Sequence, residues 1–121
     1  MDSILTSIKK LLGIDPMCDH FDPEIIMHIN SVFSILNQLG VGPPEGFMIT
    51  SNAENWSDFL SNNQTIESVK SYTYLKVKLL FDPPQSSYAI ESINRLTSEL
   101  EWRIQVAVDP IQTEDQGGAK L

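Results

Sequence analysis

Four breaks decide what this chain can become: Asp22-Pro23, the run from Gly40 to Gly46 that contains Pro43 and Pro44, Asp82-Pro83-Pro84, and Asp109-Pro110. Proline lacks the N–H that a helix interior uses and pushes the residue before it out of helical geometry, so no helix runs through these points. The stretches between them carry apolar residues at helical intervals rather than in alternation. The chain is therefore expected to be a set of separate helices.

The first should run from about Asp2 to Leu12, with Ile4, Leu5, Ile8, Leu11 and Leu12 on one stripe. Asp2 or Ser3 can cap it and Gly13 can stop it, with Lys9 and Lys10 in the last turn where cations favour the helix dipole. The second begins with Asp22 as N-cap and Pro23 in the first turn, and ends near Leu39 at Gly40. Its apolar face (Ile25, Ile26, Ile29, Val32, Phe33, Leu36 among others) is too wide for a surface helix, which predicts a central one. Thr65 can cap a third, which buries Ile66, Val69, Tyr72, Leu75, Leu79 and Leu80 and turns Lys70, Tyr74 and Lys78 outward. The fourth runs from Gln85 or Ser86 to about Val106 on an inner stripe of Ala89, Ile93, Leu96, Leu100 and Ile104. Glu91 with Arg95, and Glu99 with Arg103, are spaced as helical ion pairs.

Residues 40–64 are too rich in glycine and proline for a regular helix. Phe47 to Thr50 could be a short strand returning toward Trp56, or the whole stretch an ordered loop. The final residues, from Asp109, hold too little apolar material to fold alone and read as a flexible tail. The expected fold is all-α: a small antiparallel four-helix bundle over residues 1–108, with one long loop, a possible short β-hairpin around 46–57, and an extended C-terminal tail over 109–121.

At 121 residues with 41% hydrophobic content, the chain makes one domain with a core of its own. Eight Lys and Arg against sixteen Asp and Glu leave a net charge of −8, which disfavours a grip on nucleic-acid phosphates. The single Cys18 permits no internal disulfide and fits a reducing compartment. No run approaches the roughly 20 apolar residues of a membrane span, and the N-terminus does not read as a signal peptide.

Catalytic chemistry finds no foothold. Cys18, His20 and Asp22 lack the partners a zinc site requires, and His28 lies two helical turns further on. A Cys and a His one residue apart rarely align for nucleophilic attack. The prolines after Gly40 and Gly42 remove the N–H groups a phosphate loop would use. No catalytic residue, metal site or cofactor is expected, and the protein is not expected to be an enzyme. Protein contact is the better prospect. Phe47, Met48, Trp56 and Phe59 gather in the loop, either as an interface patch or as a lid that folds Trp56 back onto the bundle. The Lys70–Tyr74–Lys78 stripe could meet an acidic face of a neighbouring copy or simply lie in solvent.

The stretch HFDPEIIMHINSVFSILNQLGVGPPEGF, then Trp56-Ser57-Asp58-Phe59, VKSYTYLKVKLLFDPPQSS and ELEWRIQVAVDP, resembles the head–tail connector, or adaptor, proteins of tailed bacteriophages. The resemblance spans most of residues 1–110. It implies a virion protein of the neck, made in the host bacterial cytoplasm. It further implies a homo-oligomeric ring of about twelve copies beneath the portal, closed by repeated identical contacts. Such a ring extends the DNA channel and meets the next neck or tail-completion protein. DNA would pass through without specific binding, which the negative charge suits. The tail, with Asp109, Pro110, Ile111 and Leu121, would reach the portal. The terminal GGAKL matches no motif of that family. The competing class is a small helical regulatory protein, antitoxin- or anti-repressor-like, that masks a host or phage protein. Stoichiometry separates the two, because a regulator stays small and a connector assembles.

Overall fold

The computed structural model of the protein describes residues 3–60 and 66–108. They form α1 (Ile4–Leu12), α2 (Asp22–Gln38), the single turn α3 (Trp56–Phe59), α4 (Ile66–Phe81) and α5 (Ser87–Val108). The fold is all-α, with no strand among the described residues. Thr65 and residues 109–121 lie outside the described residues, so the expected cap of α4 and the tail do too.

Ser3 caps α1, its Oγ accepting the Thr6 N–H at 3.2 Å. Gly13 ends the helix at φ 83°, where a left-handed residue lets the backbone turn back on the last carbonyls. Ile4, Leu5 and Ile8 are buried, but Leu11 is 52% exposed, against the expected stripe. The reason is local. Leu11 stands at the rim of a hollow between α1 and α4, while Lys9 is the residue that turns inward.

Lys9 also corrects the expected start of α2. Its Nζ donates to the carbonyls of Pro16 (3.1 Å) and Cys18 (2.6 Å) and lies 2.8 Å from Asp22 Oδ1. Asp22 is thus the first residue of the helix and not its cap; Phe21 occupies the cap position without a side-chain bond. A nearly buried ammonium needs a counter-charge more than the helix end needs a cap.

α4 packs along both α2 and α5 and also touches α1, which makes a row α2–α4–α5 with α1 laid across it. Covered by α1, α2 and α5, α4 buries Ile66, Val69, Tyr72, Thr73 and Val77, which form one broad face of the helix. Leu75 and Leu79 are half-buried and Leu80 is 54% exposed, so Leu80 does not belong to the core. α5 has α4 as its main neighbour and buries only Thr97, Leu100 and Ile104. Leu96, expected inside, is 46% exposed, and Ala89 and Ile93 are half-buried. A peripheral helix covered on one side has room for only a narrow inner stripe.

The long loop is ordered, and the possible hairpin does not form. Asn30 on α2 donates from Nδ2 to the Ile49 carbonyl (3.0 Å) and accepts the Ile49 N–H on Oδ1 (2.8 Å), the two bonds a second strand would have made. Ile49 is fully buried as a result. Glu54 closes the following turn by accepting from the Thr50 hydroxyl (2.9 Å), the Thr50 N–H (3.1 Å) and the Ser51 N–H (3.2 Å). The Ile4 N–H then donates to the Glu54 carbonyl at 3.0 Å and joins the loop to the start of α1.

Candidate docking surfaces

The loop aromatics divide between core and surface. Trp56 is fully buried, with its Nε1–H donating to Ser7 Oγ at 2.8 Å. Phe59 is buried too, stacked on Phe33 at a centroid distance of 4.3 Å and on Phe47 at 5.1 Å. Trp56 and Phe59 therefore fold back onto the bundle, the second of the two arrangements the loop allowed, and are not part of an exposed patch. Gly42 makes this possible: it sits at φ 84°, and a Cβ there would come within 2.5 Å of Phe59 Cε1. Phe47 and Met48 remain at the surface, Phe47 half-buried and Met48 68% exposed.

Those two residues form one wall of an open groove of about 850 Å³. The other wall is the face of α2 running from Pro23 through Ile26, Met27 and Asn30 to Asn37. Met27 is 58% exposed here, so α2 is an edge helix of the row and not the expected central one; α4, covered by α1, α2 and α5, takes that place. Flexible thioethers on an apolar floor suit a surface that is covered by another chain.

The basic stripe on α4 does not act as one unit. Lys70 is held with Nζ 5.8 Å from the Trp56 ring centroid, a cation–π arrangement. Lys70 and Tyr74, with Lys10 and Leu11, line a smaller hollow of about 380 Å³ whose floor is Trp56. Lys78 turns away to Asp82, 3.7 Å from its carboxylate and 3.3 Å from its carbonyl. The expected contacts Asp109, Pro110, Ile111 and Leu121 lie outside the described residues.

A third surface was not among the expected site residues. The outer face of α5 carries Tyr88 (74% exposed), Trp102 (65%) and Val106 (46%). Glu101 beside Trp102 faces inward and accepts the Tyr72 hydroxyl at 2.6 Å. Burial first, and then the Glu101 carboxylate, push the Tyr72 phenol well above its ordinary value. The signal for the outer face was present in the sequence, since Tyr88, Trp102 and Val106 fall opposite Leu100 and Ile104 on a helical wheel.

Among the described residues no polar cluster converges on a reacting centre. Among the described residues no group of three His, Cys, Asp or Glu is placed to hold a metal ion. Cys18 is half-buried, its carbonyl engaged by Lys9, and His20 packs edge-on against Phe21. What this molecule offers is a closed core with open apolar surfaces. A family model described as phage connector protein matches residues 4–110. The chain belongs to the phage connector proteins. No curated protein and no solved structure matches it. As a head–tail connector it is a structural component of the phage neck and thus of the virion. None of the connector's described helices is long and apolar enough to cross a membrane.

Proposed function

We propose that the connector is a subunit of a ring that docks on the portal, extends the DNA channel and links head to tail. The observation that carries this reading is a connector-family domain whose core is closed while the α2 groove and the outer face of α5 are bare. Apolar surface of that extent on a small domain is buried in a larger assembly. The chain's net charge of −8 supports a conduit role, because like charge keeps the duplex from adhering to the wall. Residues 109–121 attach to the portal and the opposite end of the ring receives the next neck or tail-completion protein.

Co-purification with the cognate portal tests this. The full chain is expected to elute with the portal, and a chain ending at residue 108 is expected to melt at the same temperature while binding the portal more weakly. Equal portal binding by both chains contradicts the role given to the tail. No binding by either contradicts the connector ring.

A further inference from the structure

We propose that the outer face of α5 lies in the α2 groove of a second copy of the chain, so that copies join head to tail. This rests on the ring reading and assigns the surfaces that build the ring.

The two faces match in character, and the stripe is long enough to fill the groove. Along α2 the groove runs from Pro23 to Asn37, and the α5 stripe runs from Tyr88 to Val106 with Arg95 and Trp102 between. At the rise of an α-helix these spans are about 21 and about 27 Å, so the stripe outruns the groove by about one turn. Tyr, Arg and Trp are the residues most often found at the energetic centre of interfaces, and the groove presents Met27 and Met48, which repack around large rings. An exposed helix laid in an apolar groove is a recurrent mode of recognition.

Their placement excludes a contact within one chain. α4 packs along both α2 and α5, and the stripe faces away from the buried side of α5 at Thr97, Leu100 and Ile104. Groove and stripe thus belong to different helices, each facing away from its own buried side, and α5 comes back to α2 only at its end, where Val108 lies beside Gly40. A two-fold dimer uses one patch against itself, whereas two different patches produce a heterologous contact that repeats from copy to copy. A ring needs that kind of contact.

Charge favours this pairing over groove against groove. From Leu11 to Val69 the chain holds eight acidic residues and no Lys or Arg, and the one cation at the start of α2, Lys9, is already taken by Asp22. Glu45 stands in the groove wall. Arg95, in the middle of the stripe, has no ion pair among the described residues, while Arg103 is already held by Glu99. The same exposed face carries Glu91 and Glu99, the latter held by Arg103, so it is Arg95 alone that can meet Glu45 in the groove wall of the next copy.

The test uses the full chain and two variants, Met48→Asp in the groove wall and Trp102→Asp on the stripe. Both positions are exposed, and unchanged circular dichroism melts confirm folding. In sedimentation velocity over a concentration series, each variant alone is expected to self-associate at least about thirtyfold more weakly than the wild type, as loss of an interface hot spot gives. Mixed one to one, they retain a single intact groove and a single intact stripe, and a one-to-one pair should form that grows no further. If the wild type assembles and either variant assembles equally well, other surfaces build the ring; the pairing is overturned while the ring reading stands. If Met48→Asp self-associates normally but no longer binds the portal, the groove belongs to the portal and the pairing is again overturned. A wild type that stays monomeric throughout the series and on the portal overturns both.

Discussion

Lys9 is where this chain departs furthest from a simple reading of its residue types. A lysine in the last turn of a helix ordinarily serves the dipole from solvent, yet this one is 2% exposed and ties Pro16, Cys18 and Asp22 to the end of α1. It fixes the path of the link into α2, which no apolar residue could do. Removing one member of a buried pair leaves its partners unsatisfied. Lys9→Ala is therefore expected to cost on the order of 3 kcal/mol in urea unfolding. Tyr72 makes a second prediction, in pH. Its phenol is raised above the ordinary 10.0 by burial and then by Glu101, so above pH 10 the unfolded chain gives up this proton before the folded one does. The folded state then binds more protons, and stability must fall as pH rises; the contribution is complete below pH 10 and lost above it. Tyr72→Phe should lose about 1.5–3 kcal/mol at neutral pH, the worth of a hydrogen bond to a charged group, and show a shallower alkaline decline in stability. Glu54 has the opposite sign. Desolvation is the largest single influence and raises it, but the bonds from Thr50 and Ser51 and from its own backbone N–H together hold it below 4.5. Its support for the loop is present above that value and lost on acidification, so the protection of the Thr50 and Ser51 amides, taken relative to their intrinsic exchange rate at each pH, should fall as pH drops below 4.5.

Among the elements, the loop from Val41 to Leu60 depends most on particular side chains. Gly42 combines a left-handed backbone with the close approach of Phe59. Gly42→Ala should cost at least about 2 kcal/mol, since a left-handed residue alone costs roughly 1–2 and the ring must also move. Trp56→Ala should cost about 3–5 kcal/mol in thermal or urea melts, as a deleted core aromatic does, before any effect on assembly. The helices themselves were legible because their ends are marked by local chemistry: Ser3 and Gly13, Pro23, Gly40, and the Asp82-Pro83-Pro84 break before Ser87. The loop was less so, because what decides it is a contact nineteen residues apart, Asn30 with Ile49, that no pattern along the chain announces. The same holds for Lys9, whose carbonyl partners come from a loop without periodicity. Phe47, Met48, Trp56 and Phe59 are expected together, as a patch or as a lid; Met48 is exposed and Phe47 half-buried, whereas Trp56 and Phe59 share their composition and lie inside. Nothing in four nearby aromatic and thioether side chains tells which will find cover; the partners that draw Trp56 and Phe59 inward, Ser7 and the close turn at Gly42, lie far along the chain.

For the whole molecule, the row α2–α4–α5 leaves two long edges open, and a connector that worked as a monomer would have no use for either. Family membership places the chain in the phage neck, and the open edges are what a repeating assembly there would bury. The measurement that bears most directly on this account is negative-stain electron microscopy of the full chain mixed with its portal. Light scattering on each component alone gives the starting sizes. The account predicts a ring of added density on one face of the portal, with the rotational symmetry of repeated connector subunits. Bare portals beside a protein that scatters as a monomer would contradict it.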